Sequence, residues 1–189
     1  MCKLSTMLIF KSSWIILKIH KVNEKDFLYT IFTQEYGKIM CQKKYSKTEK
    51  SLDIGYVIQF EIETKEDKKV HKMRNIKILS DFSPTNKSFD VLQSYLELLA
   101  MILKNIPEGV QAYWVIDILE YIHDYENITA DKILLSKLKL LHIFGTLPYE
   151  HTNETTHKVL KFIHAKPVSE IFKLWTIPED IKKDLEILL

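Results

Sequence analysis

Tyr56–Thr64 reads YVIQFEIET, the clearest two-residue alternation in the chain. Ile58, Phe60 and Ile62 fall on one face of an extended segment, while Gln59, Glu61 and Glu63 fall on the other. That is the pattern of a strand with one face on a core and one in water. Upstream, Trp14–His20 (WIILKIH) and Phe27–Thr33 (FLYTIFT) are rich in β-branched and aromatic residues, with the polar VNEKD between them. A turn at Glu35, Tyr36 and Gly37 leads into Lys38–Lys44 (KIMCQKK). Downstream, the charged KEDKK makes a hairpin loop, and Asn75–Leu79 returns as the last strand. Five short strands in so short a segment predict a small closed or partly open barrel with few free edges, the strand count of an OB-fold.

Asp81–Lys87 (DFSPTNK) interrupts this pattern with Pro84 and Asn86, and the period changes beyond it. Leu92, Tyr95, Leu96, Leu99, Ile102 and Leu103 recur at helical spacing after a candidate N-cap, Ser88. Pro107 is expected to open a second helix running to Tyr125. Thr129 caps a third from Ala130 to Phe144, stopped by Gly145 and Pro148. Asn153 starts a fourth through His164, Val168–Trp175 makes a short fifth, and Pro178–Leu189 a last amphipathic one. The fold class expected is α+β: a five-stranded OB-fold barrel over 1–82, followed by an all-α helical bundle over 88–189.

The net charge of +2 conceals an asymmetry. Met1–Ser80 carries 16 Lys and Arg against 9 Asp and Glu, whereas Asp81–Leu189 carries 11 against 16. A basic half joined to an acidic half suggests different partners for each. Cys2 and Cys41 are far apart and form neither a disulfide framework nor a zinc pattern, which suits a reducing compartment. The opening apolar run is broken by Lys11 and has no small-residue cleavage site, so neither a signal peptide nor a membrane span is expected. The expected location is the cytoplasm, in association with the nucleoid.

Nucleic-acid binding is the chemistry these residues favour. Lys38, Lys43, Lys44, Lys47 and Lys50 gather on the third strand and its following loop, and Lys18, Lys21 and Lys25 on or after the first. Neighbouring strands would merge them into one groove for phosphates. Tyr36 and Tyr45 are candidates to stack on bases, each stack worth about 1–3 kcal/mol. Because 26 of the 27 basic residues are Lys, contacts to phosphate should outweigh bidentate reading of guanine, giving weak sequence preference and strong salt dependence. A solvated Lys-rich surface with inward-packed Tyr is the bland alternative.

No phosphate-binding glycine loop, zinc-protease or nucleophile-elbow motif is present, so neither an ATPase nor any other enzyme is expected, and no cofactor. Asp117, Glu120 and Asp124 line one helical face, more simply an acidic solvent face than a metal-dependent nuclease site. Glu61 and Glu63 are expected in solvent, and Cys41 inside the barrel. Tyr113, Trp114, Phe172 and Trp175 are expected mainly as core, with a partner groove as the alternative.

Three stretches together resemble the RecO family of recombination mediators. In Val22–Lys47, the positions of Glu24, Asp26, Thr33, Gly37 and Lys38 are similar to that family's polar turn, strand and T-x-x-x-G-K. SYLELLAMIL (Ser94–Leu103) resembles the first helix of its helical domain. SKLKLLHIFGTLP (Ser136–Pro148) resembles its buried helix ending L-L-x-x-x-G-x-x-P, through Leu140, Leu141, Gly145 and Pro148. The likeness runs across about Leu8–Pro148. It departs in two places. The four zinc-binding Cys found in many members after that helix are missing, and His151, His157 and His164 do not replace them, so no metal is expected. A glycine after the third strand is also absent, with Lys43, Lys44 and Tyr45 in its place.

The resemblance implies a non-enzymatic mediator that binds single- and double-stranded DNA and anneals complementary strands. It also implies a RecR-like partner, capture of the acidic C-terminal tail of single-stranded-DNA-binding protein by the helical domain, and indirect help in loading RecA. Tail capture would need Lys137, Lys139, Lys158 or Lys161 to cluster. The alternative is an OB-fold adaptor or RNA-binding module without annealing activity.

Overall fold

A computed structural model describes residues 8–45, 49, 51–64, 69–82, 87–147, 153–174 and 176–189. The elements run β1 (Leu8–Lys21), β2 (Asp26–Thr33), β3 (Gly37–Lys44), β4 (Val57–Thr64) and β5 (Val70–Ser80), then α1 (Phe89–Asn105), α2 (Tyr113–Asp124), α3 (Ala130–Ile143), α4 (Glu154–Ala165), α5 (Val168–Ile171) and α6 (Glu179–Glu186). The strands close into a barrel in the order β1-β2-β3-β5-β4, consistent with an OB-fold. All pairings are antiparallel except β3 with β5.

β1 is twice the length read from its apolar run, because one strand must serve two neighbours for the sheet to close. Leu8–Ile15 pairs with β4, Trp14–Lys21 pairs with β2, and a register shift at Leu17 bends the strand between them. Lys11, Ser12 and Ser13 hide this extension from a hydrophobicity reading. Ser12 is buried and donates to Glu35 Oε2 at 2.8 Å. The alternating faces of β2, β3 and β4 fill the interior with Tyr29, Ile31, Cys41, Ile58, Phe60 and Ile62. Burial pushes the Cys41 thiol up to about 12, so it is a packing group and not a nucleophile.

β5 starts five residues earlier than the Asn75–Leu79 segment expected, because Lys72, Met73 and Arg74 pair with β4. It carries a bulge at Asn75, whose φ of +50° lies in the left-handed region that Asn tolerates better than most residues. Asn75 Nδ2 also donates to Glu61 Oε2 at 2.7 Å. Asn75→Gly should therefore change stability by less than about 1 kcal/mol, while Asn75→Val should cost about 1–2 kcal/mol in urea titrations. Equal losses would remove backbone conformation as the reason for Asn here.

The chain divides into two compact units, one of 1–83 with 102–113 and the other of 84–101 with 114–189. A single break at Asp81–Lys87 is therefore too simple, since the end of α1 and the segment after it belong with the barrel. The helix expected from Pro107 begins only at Tyr113. Instead, Gly109 N donates to Lys38 O at 3.1 Å, and Glu108 bridges to Lys38 in parallel. Tertiary pairing overrides the local preference for Pro at a helix start.

In the second unit α3 is buried almost all round, from Lys132 to Leu138 and at Leu140. Thr129 caps it by accepting from Lys132 N, and Asn153 caps α4 by accepting from Thr156 N. α5 is a single turn, shorter than Val168–Trp175, and Trp175 lies outside the described residues. No helix among the described residues is long and apolar enough to cross a membrane.

Candidate nucleic-acid interface

Strand register decides which side chains share a face. Inside the barrel mouth, one row runs Lys21–Phe27–Lys43 across β1, β2 and β3. On the outside, one row runs His20–Leu28–Gln42–Lys72 and the next runs Lys18–Thr30–Met40–Val70. Lys44 faces outward opposite Asp26. A cleft of about 630 Å³ at this end of β3 and β5 is lined by Gln42, Lys43, Lys44, Lys72, Met73, Arg74 and Asn75, together with the carboxylates Asp26 and Glu49. Adjacent strands lie about 4.8 Å apart, so β1 to β5 presents a cationic strip roughly 14 Å wide.

The ten residues singled out from sequence separate into groups. Lys18, Lys21, Lys25 and Lys44 are exposed, and none is ion-paired with a described residue. Lys47 and Lys50 lie outside the described residues. The others do work within the protein. Lys38 Nζ donates to Leu103 O at 2.7 Å. Lys43 Nζ is 2.9 Å from Glu49 Oε1, lies 4.9 Å from the centre of the Tyr45 ring, and its side chain is only 13% exposed.

Tyr45 is tied into the barrel core. Its hydroxyl shares a 2.6 Å hydrogen bond with that of Tyr29 and accepts from Leu52 N at 3.1 Å. Its ring meets Phe27 edge-on at 5.2 Å. It closes one end of the barrel core. Tyr36 sits in the β2–β3 turn, beyond the other end of β3, with its ring 6.2 Å from Phe10. The two tyrosines thus occupy opposite ends of an eight-residue strand, about 25 Å long, and do not form one cluster.

Sequence reading missed Lys72 and Arg74, because they lie between the KEDKK loop and the strand expected from Asn75, in a segment given no element. It also misjudged Glu63, which is buried and not solvated. Arg74 Nη2 lies 2.7 Å from Glu63 Oε2, and Lys72 Nζ lies 3.7 Å from Oε1. One buried carboxylate therefore holds two exposed cations beside the cleft and offsets part of their charge. The signal available was the alternation HKMRN itself, with Lys72 and Arg74 on one face and Met73 on the other.

In the helical unit, the four lysines considered for tail capture do not form a free cluster. Lys137 is buried against Glu97 at 2.5 Å, and this contact holds the Glu97 carboxyl below its ordinary value. Lys139 Nζ donates to the carbonyls of Ile163, His164 and Lys166 at 2.9, 2.8 and 3.0 Å. Lys158 pairs with Glu154, leaving Lys161 exposed. Phe172 is buried as expected, but Tyr113 is exposed and Trp114 half-buried. Among the described residues no group of three or more His, Cys, Asp or Glu could hold a metal ion. His151 lies outside those residues.

No protein-family model and no curated protein sequence matches the chain. Among solved structures, one similar chain belongs to a structure described as "Structure and Conformational Change of a Replication Protein A Heterotrimer Bound to ssDNA". The two share 10% identity over 53% of this chain and 70% of that one, with a TM-score of 0.29.

Proposed function

We propose that the barrel binds single-stranded nucleic acid across the outer faces of β1, β2, β3 and β5. The observation that carries this reading is the convergence of Lys18, Lys44, Lys72 and Arg74 on one side, around the half-buried Leu28, Thr30 and Met40. Ammonium groups would neutralise phosphates, and the flat, partly apolar strip would take bases or sugars. In OB-folds this same strand 2–3 face and its flanking loops commonly hold oligonucleotides. Arg74, the chain's one arginine, is the residue able to form a bidentate contact there.

We further propose that the chain acts as a RecO-like mediator, annealing strands by neutralising their charge and hydrolysing nothing. The ordered resemblance of three sequence stretches and the barrel-then-helices layout support this. A RecR-like protein, the single-strand-binding protein's tail and, indirectly, RecA are the partners that reading brings. The cytoplasm, at the nucleoid, is its place of action.

Reversing Lys44 and Lys72 together to Glu should lower affinity for an oligothymidine at least about tenfold. It should also reduce the slope of log K against log salt by about 1.4, two phosphates at roughly 0.7 each. Lys43→Met, which removes an internally paired cation, should change affinity far less. Unchanged binding in the double variant would reject the interface. Annealing of complementary strands coated with single-strand-binding protein, compared with and without that protein's acidic tail, tests the mediator role. Binding without annealing would leave the adaptor reading instead.

A further inference from the structure

The helical unit has a groove whose chemistry is opposite to that of the basic cleft. This groove of about 310 Å³ is lined by Trp114, Ile118 and Tyr121 of α2, Ile143 at the end of α3, and Pro167 and Val168 at the start of α5. That volume is close to the lower limit of a ligand pocket and suits one large apolar side chain with its neighbours. Ring contacts brace two of its aromatic walls. The Trp114 ring meets Phe144 edge-on at 5.5 Å, and buried Phe172 holds Tyr121 edge-on at 5.9 Å.

One side of the groove is acidic. Asp117 and Glu120 line it, and Asp124 follows one turn on. None of the three is ion-paired with a described residue. Lys139, the cation that also lines the groove, directs its ammonium to three carbonyl oxygens at the end of α4. Partial burial, and after it the charges of Asp117 and Asp124, push the Glu120 carboxyl above its ordinary value. The rim therefore repels phosphate and favours a cation.

We propose that this groove docks a short basic segment of a partner protein, with one apolar anchor seated among Trp114, Tyr121, Ile143 and Val168 and flanking Lys or Arg paired to Asp117 and Glu120. A small apolar floor beside an unpaired acidic rim complements that chemistry. A nucleic acid or an acidic tail does not fit it.

The test uses the full chain and short fluorescent peptides with a central Leu, Ile, Met or Phe, flanked by Lys/Arg, Ser or Glu. Anisotropy should show the basic-flanked set binding at least about tenfold more tightly than the Glu-flanked set, with loss on changing the anchor to Ser. Asp117→Asn combined with Glu120→Gln should remove the preference for basic flanks without altering the circular dichroism, since both side chains are exposed. No bound peptide, equal binding of basic and acidic sets, or an unchanged preference in the double variant would overturn the proposal. So would sedimentation showing a dimer of this chain that the double variant dissociates.

Discussion

Gly37→Ala should be the most damaging single-methyl change in the barrel, lowering the unfolding free energy by about 3 kcal/mol or more in urea titrations. Two effects combine at this position. Gly37 has φ of +65°, a left-handed conformation that costs an L-residue roughly 1–2 kcal/mol by itself. A Cβ there would also lie 2.2 Å from Val110 O and 2.5 Å from its carbonyl carbon, and backbone cannot swing aside as a flexible side chain can. Gly109 isolates the first effect. Its φ is +73°, yet an added Cβ would meet nothing within 4 Å, so Gly109→Ala should lose only the conformational share. If the two variants lose the same stability, the close approach of the β2–β3 turn to residue 110 is not what requires glycine.

That approach is part of a larger attachment. Thr33 Oγ1 donates to Gly37 O at 3.0 Å and accepts from Tyr36 N at 3.1 Å, setting the turn. Lys38 Nζ reaches Leu103 O, Gly109 N reaches Lys38 O, and the Gln111 side-chain amide donates to Glu35 O. The T-x-x-x-G-K run thus fastens residues 102–113 to the barrel, and its threonine, glycine and lysine each have a structural task.

Acidification should weaken the fold through His123. Burial holds this imidazole down to about 4, the nearby Lys87 adding to the effect and Asp124 opposing it. Its Nε2 lies 2.6 Å from the Tyr95 hydroxyl, on a tyrosine that is itself almost wholly buried. In the unfolded chain the same imidazole takes up a proton near its ordinary 6.5. Between those two values the unfolded state binds more protons than the folded one, so stability falls as pH falls. The loss from this group is fully absent above about pH 7 and amounts to about 3 kcal/mol once pH nears 4. Because carboxylates titrate in the same range, the measurement is the difference between wild type and His123→Gln across pH 4–7.5. A difference independent of pH would mean that His123 is protonated equally in both states.

Alternation in Tyr56–Thr64, the β-branched runs before it and the helical spacing after Asp90 were sufficient to read strands followed by helices. These are short-range patterns, written where side chains alternate between core and water. The caps Thr129 and Asn153 were legible for the same reason, since each contacts backbone only three residues away. Lys18 and Lys44 could be placed on strands, but not on a shared outer face. That required the pairings of β1, β2, β3 and β5, which join residues far apart in sequence. The same long-range register brought Lys72 and Arg74 beside Lys44, buried Glu63 between them, and turned Lys43 and Tyr45 inward. It also drew residues 102–113 out of the helical half onto the β2–β3 turn. Local periodicity encodes which residues are wet or dry. Only the closed barrel, whose backbone hydrogen bonds leave a single consistent register, decided which of the wet cations stand side by side and which already have partners.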